Sequence, residues 1–255
     1  MILTDAADIP RRSKVYALVK FFSENDHAEQ FLDGTLFTRR LSYFRRMEEE
    51  DGRWDSTEGT WAWLQKKGLQ IRMEVPQIGP IHIGEPDLAA PVSMSLAAHD
   101  DLHIFCSYAY YVDEARAGDD LRDIYGEDRL AELERALQID PRCLRFGAHA
   151  VVVPWAPFKT RVIQAVRAQS LRLRTGLVRY YDDQIFNGEF RFKDVPFRKQ
   201  RRFEYQRELR VCIDSRPIYS ETRTINIGSL RDIAAYAPAE ALLGAFKLSI
   251  DREAA

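Results

Sequence analysis

The sequence predicts an α+β fold: one domain, a mixed or antiparallel sheet, and flanking helices. Three observations lead there. Strand-forming segments are interspersed with helical periodicity, but without the regular spacing of βαβ units. No internal repeat or low-complexity tract marks a solenoid or a coiled coil. The chain has 255 residues, 45% of them hydrophobic, which is enough for a buried core. No linker is long enough to divide residues 1–255 into two domains.

Residues 15–21 are rich in strand formers and give the first strand. Ser23 or Asn25 then caps a short helix through Ala28, Phe31 and Leu32, with Gly34 as its stop. Residues 35–38 alternate as a strand. A helix at 42–50 carries Tyr43, Phe44 and Met47 on one side, then an acidic tail, and ends at Gly52. Residues 69–75 and 78–83 make a hairpin around Pro76 and Gly79, while Pro86 and Pro91 mark loops. Residues 102–112 read as a buried strand. From 113 to 138, Leu121, Ile124, Leu130, Leu133 and Leu137 fall at helical spacing, divided by Gly126.

The second half opens on a strand at 148–153, stopped by Pro154. A helix comes next at 159–169, with Val162, Ile163 and Val166 inward. Further strands are expected at 177–181, 203–213 and 224–227, then a short helix at 230–236 and a last strand at 245–250. Residues 1–14 and 251–255 read as flexible tails.

Composition narrows the function classes. Lys and Arg number 37 and Asp and Glu 39, a net charge of −2, so bulk charge alone does not bind nucleic acid. Cys106, Cys143 and Cys212 lie far apart, with no CxxC or Cys/His cluster. That disfavours structural zinc and a disulfide framework, and favours a reducing compartment. The N-terminal residues lack the basic and apolar regions of a signal peptide. Apolar runs such as 148–156 fall short of the roughly 20 residues of a membrane span. The expectation is a cytoplasmic protein with no membrane partner. The oligomeric state stays open.

Four stretches carry candidate chemistry. On a strand at 203–213, Gln206, Glu208 and Arg210 share one face and Tyr205, Arg207 and Leu209 the other. An amide beside a carboxylate can orient a sugar hydroxyl, although a solvated polar face gives the same pattern. Residues 191–210 hold eight basic residues: Arg191, Lys193, Arg198, Lys199, Arg201, Arg202, Arg207 and Arg210. Phe190, Phe192, Phe197 and Phe203 are interleaved. Such a stretch suits phosphates and stacked bases, so an RNA- or DNA-binding module is an alternative reading. A solvated loop anchored by its aromatics fits too.

Asp51, Asp55 and Glu58 are hard oxygen ligands of the kind Mg²⁺ prefers, or part of a turn in which Ser56 or Thr57 caps the next element. Cys106-Ser107 on the central strand is a candidate nucleophile, but only His103 and His149 stand near it as bases, and no G-x-S-x-G elbow surrounds it. The histidines show no metal spacing, so no metal ligands are assigned. Walker A and G-x-G-x-x-G loops are both missing.

The order of motifs resembles a bacterial and phage family linked to abortive infection. The likeness runs from Phe31-Leu32-Asp33-Gly34-Thr35-Leu36-Phe37 through Tyr43-Phe44, Asp55-Ser56-Thr57-Glu58-Gly59 and Ile104-Phe105-Cys106-Ser107. It continues in Gly147, Val178-Arg179-Tyr180 and Lys199 to Arg210. The series is also similar in outline to ADP-ribosyltransferases, with Ser107 at the middle position and Gln206-x-Glu208 at the late one. The first strand departs from that plan, offering Tyr16 and Lys20 in place of Arg or His.

This resemblance implies an NAD-dependent transferase, in phage–host conflict or as a toxin, that modifies a protein or nucleic acid. Glu208 would align the ribose and stabilise an oxocarbenium-like state, and Gln206 would position the acceptor. Lys199, Arg201 or Arg202 would neutralise the pyrophosphate. Tyr16, Lys20 and Arg210 complete the expected cofactor set.

Overall fold

A computed structural model describes residues 13–46, 55–113, 127–216 and 220–247. The first half contains β1 (Ser13–Phe22), α1 (Asn25–Leu32), β2 (Thr35–Arg40), α2 (Leu41–Arg46) and β3 (Thr60–Leu64). Next come β4 (Ile71–Val75), β5 (Gly79–Ile83), β6 (Val92–Ser95), α3 (Ala97–Asp100) and β7 (His103–Asp113). The second half holds α4 (Glu127–Leu137), β8 (His149–Pro154), α5 (Trp155–Ala168), β9 (Arg172–Leu177), β10 (Arg179–Tyr181) and β11 (Gly188–Glu189). It ends with β12 (Arg198–Gln200), β13 (Glu208–Asp214), β14 (Thr222–Asn226) and β15 (Ala235–Pro238).

The fold is α+β and mostly antiparallel. One sheet has eight strands, in the order β14-β2-β7-β1-β8-β15, with β13 and then β9 joined to β7. Tyr108 pairs with Val19 of β1 and with Glu208 of β13, so those two strands lie on opposite edges of β7. Strand alternation sends Leu18, Phe105, Ala109, Leu209, Val211 and Ile213 to one face. There they pack beneath Phe31 of α1 and Trp155, Phe158, Val162 and Val166 of α5. The other face carries Val19, Phe21, Tyr108 and Tyr110, covered by Leu137, Ile139 and Cys143. A smaller sheet, β11-β3-β6, stands apart from this layer, beside a core of Trp63, Tyr181, Phe190 and Val195. Among the described residues, no helix is long and apolar enough to cross a membrane.

Several elements differ from their sequence expectation. The strand expected at 203–213 begins only at Glu208. Before it, Arg201–Gln206 is a 3₁₀ turn, and Arg207 takes a left-handed backbone, φ 41° and ψ 47°. That conformation breaks a strand, so the predicted alternation holds from Glu208 onward and fails before it. The expected strand at 177–181 is two strands. Leu177 still pairs with Leu209, whereas Arg179 to Tyr181 run parallel to Arg198 to Gln200.

The helix expected at 230–236 is a single turn, closed by the Ile233 and Ala234 amides on the Leu230 carbonyl. The chain then joins the open edge of β8, where Ala235 faces Val152. Helix α5 starts at Trp155, four residues early, because Pro157 fits a first helical turn whose amides need no internal partner. Helix α1 is capped by Glu24, without a side-chain bond, and not by Ser23 or Asn25. Ser13 and Lys14 belong to β1, not to a tail. Ala245 to Lys247 form no strand. Residues 1–12, 47–54, 114–126, 217–219 and 248–255 lie outside the described residues, and with them Asp51, Gly52, Leu121, Ile124, Gly126 and both terminal tails.

Candidate functional site

The central sheet parts at one place. Strand β1 pairs with β7 as far as Val19↔Tyr108, and β2 meets the same edge of β7 at Arg39↔Ile104. Between those contacts, Phe105, Cys106 and Ser107 have a partner strand only on the β13 side, at Val211, Arg210 and Leu209. Past Val19, strand β1 leaves β7 but keeps β8, its partner on the other edge from Ala17 to Phe22. The Lys20 ammonium donates to the Cys106 carbonyl at 2.7 Å and lies 4.8 Å from the centre of the Phe105 ring. A side chain thus answers a carbonyl that the missing strand leaves behind.

Beside this gap lies a buried charge cluster. Arg210 gives both terminal nitrogens to Glu58, Nη1 to Oε1 at 2.6 Å and Nη2 to Oε2 at 2.8 Å. Its Nε donates to Glu208 Oε2 at 2.9 Å, and its Nη1 also to the Pro196 carbonyl at 2.8 Å. Lys199 Nζ donates to Glu208 Oε1 at 2.7 Å and to Gln206 Oε1 at 2.6 Å. The four charged side chains are 2–9% exposed, so these are interior ion pairs, not surface ones. Two carboxylates meet two cations, and the cluster closes without net charge. Arg210 grips Glu58 with both prongs of a fork that lysine lacks, and reaches Glu208 through Nε alone.

Burial raises the Glu208 carboxyl, but the Arg210 and Lys199 charges and hydrogen bonds overcome it and hold the group at about 2. The same carboxylates hold Lys199 and Arg210 charged against their own desolvation. Tyr180 fixes the backbone of this corner, its hydroxyl accepting from the Glu208 amide at 2.9 Å.

A turn presents Glu58. Asp55 Oδ1 accepts from the Thr57 amide at 2.9 Å, and the Glu58 amide donates to the Asp55 carbonyl at 2.9 Å. Asp55 therefore organises this turn, and the element that Ser56 or Thr57 was expected to cap is the strand β3, which takes no N-cap. Burial and the neighbouring Glu58 charge raise the Asp55 carboxyl, whose Oδ2 has no partner among the described residues.

A cavity of about 500 Å³ opens where the sheet parts. That size suits a small organic ligand. Lys20, Ser107, Lys199, Gln206, Glu208 and Arg210 all line it. Its walls are aromatic, with Phe22, Phe31, Phe37, Tyr43, Phe105 and Phe146 among them.

The remaining predicted residues are placed otherwise. Tyr16, Arg201 and Arg202 do not line the cavity. Tyr16 is 42% exposed beside Lys14, Arg201 pairs with Asp182, and Arg202 lies over Phe203. Lys199 lines the cavity but is committed to Glu208 and Gln206, which takes it from the pyrophosphate role. Gln206 supports Lys199 through its carbonyl, and its amide reaches the Tyr205 hydroxyl at 3.3 Å. Acceptor positioning is therefore not its visible task.

Ser107 donates to the Leu209 carbonyl at 3.3 Å, and burial with the Glu208 charge pushes the Cys106 thiol up to about 12. Neither is an activated nucleophile. His103 is taken by Ser220 and Ser215. Within the basic run Lys199 and Arg210 are buried and Arg207 donates to the Tyr111 carbonyl, whereas Arg191, Lys193, Arg201 and Arg202 are exposed. Of the interleaved aromatics Phe190, Phe197 and Phe203 are buried, while Phe192 is exposed. Among the described residues no cluster of three metal-binding side chains occurs, and Glu58 is committed to Arg210.

Sequence reasoning missed Glu58 as the partner of Arg210, Tyr180 as a support, and Phe37, Arg39 and Tyr43 as cavity wall. The strand expected at 35–38 in fact runs Thr35–Arg40, and on it Phe37 and Arg39, two positions apart, share a face. No family model, curated protein or solved structure matches the chain.

Proposed function

We propose that this chain is an NAD-consuming enzyme of ADP-ribosyltransferase type, acting in phage–host conflict or as a toxin, with the cavity at the parted sheet as its dinucleotide site. The observation that carries this reading is the meeting of Glu208, Gln206, Ser107 and Lys20 at one aromatic-walled cavity. The reaction breaks the bond between the ribose C1′ and the nicotinamide nitrogen. Nicotinamide leaves with the electron pair, and an acceptor nucleophile adds to C1′.

Glu208 is ionised at neutral pH and fixed by two cations, so its oxygens keep a constant aim. Each carboxylate oxygen has a second lone pair, and a ribose hydroxyl donates to it. Because Lys199 and Arg210 already offset its charge, Glu208 contributes orientation more than charge stabilisation of the oxocarbenium-like state. Aromatic walls exclude water and give flat surfaces to the nicotinamide and adenine rings.

Nicotinamide release from NAD, followed chromatographically with and without cell extract, tests the reading. Turnover is expected from the native chain. Glu208→Gln, checked for folding by circular dichroism, is expected to lose about a hundredfold in rate. Native protein that neither binds NAD nor releases nicotinamide with any extract removes the proposal.

A further inference from the structure

Once Lys199, Arg201 and Arg202 are set aside, the pyrophosphate of a dinucleotide needs another partner. The closed cluster of Glu58, Arg210, Glu208 and Lys199 contributes no net charge to the cavity wall. What remains there is two cations, Lys20 and Arg39, against one carboxylate, Glu24. Lys20 is engaged with the Cys106 carbonyl. Arg39 is different: among the described residues its guanidinium meets no carboxylate. It lies 4.1 Å from the centre of the Tyr43 ring and 5.2 Å from that of Phe37.

Stacking on rings fixes the plane of a guanidinium and leaves its N–H edges available. Those edges match the paired oxygens of a phosphate. The position is also rigid. Arg39 sits on β2 between two strands, its backbone facing Ile104 on one side and Thr222 on the other. Phe37, sharing its strand face, is 45% exposed, so the stacked set stands at the open side of the cavity and not in its floor.

We propose that Arg39, braced by Tyr43 and Phe37, is the phosphate seat of the cavity, and that the ligand is a phosphorylated nucleotide and not a nucleoside. The proposal rests on the NAD reading for the rest of the ligand, but the seat itself requires only an anion. Glu208 and Arg39 then divide the ligand between them, the ribose at the buried end and the phosphate at the mouth.

Calorimetric titration of the native chain and Arg39→Gln with NAD, nicotinamide riboside and inorganic pyrophosphate tests it, thermal melts confirming that the variant folds. Arg39→Gln is expected to weaken NAD and pyrophosphate about tenfold or more while leaving nicotinamide riboside unchanged. Arg39→Lys, which keeps the charge but loses the fork, is the second variant, with an expected loss of about threefold. NAD bound equally by the native chain and both variants overturns the phosphate seat and leaves the NAD reading standing. Pyrophosphate bound natively and lost with Arg39→Gln, but no affinity for NAD or the riboside, keeps the seat and removes the NAD reading. A native chain that binds neither NAD nor pyrophosphate overturns both.

Discussion

Glu58 gives both carboxylate oxygens to one guanidinium, and that guanidinium reaches on to Glu208. Removing one member of a buried pair leaves its partner charged and dry, a cost of about 3–5 kcal/mol. Glu58→Ala should therefore lower unfolding stability by about that much, read from a urea titration. An exposed pair such as Arg72–Glu74 should change by less than about 1 kcal/mol when broken. Acid should act through Glu208. Its folded carboxyl lies at about 2, below its ordinary 4.5. A carboxylate depressed in this way supports the fold fully above pH 4.5 and loses that support as pH falls toward 2. The stability difference between the native chain and Glu208→Gln should therefore shrink over that window in urea titrations from pH 6 to 2.

Much of this chemistry was legible in the residues. Glu208 and Arg210 do share a strand face, and Gln206 does belong beside them, though a turn and the Lys199 ammonium bring it there. Glu58 was not legible, because it stands 152 positions from Arg210 and no local pattern links residues so far apart.

Among the elements, the connections are constrained most tightly. Gly147 has a φ of +144°, and a Cβ placed there would lie 2.1 Å from the carbonyl carbon of Phe22. That backbone cannot move freely, since Phe22 pairs with His149. Gly147→Ala should cost well over 1 kcal/mol and lower the thermal midpoint by at least about 4 °C. Because Phe22 and Phe146 both line the cavity, the same change should weaken whatever binds there. Long periodic elements such as β1, β7 and α5 were readable because their burial follows one period. The errors fell on short ones. Residues 203–207 alternate like a strand, yet one left-handed residue, Arg207, turns the chain into β13. Residues 230–236 are periodic enough for a helix, but the free edge of β8 gives the backbone ladder bonds that a single turn does not.

At the level of the whole molecule, the sheet is assembled from remote partners: β1 with β7, β7 with β13, and β2 with β14. Such non-local pairing must pay for loop closure before any contact forms, so refolding should take milliseconds to seconds by stopped-flow fluorescence. A relaxation faster than about 100 μs would contradict that architecture. The α+β class was legible in the mixture of periods. The parting of the sheet was not, because it depends on where β1 leaves β7 while staying paired with β8.

The closed charge cluster also bears on how this protein can drift. Arg191, Lys193 and Arg202 face water and can be exchanged one at a time with little consequence. Glu58, Lys199, Glu208 and Arg210 have no such liberty. A lineage that loses one of them must replace its opposite number in the same stroke, or carry a crippled ancestor between the two steps.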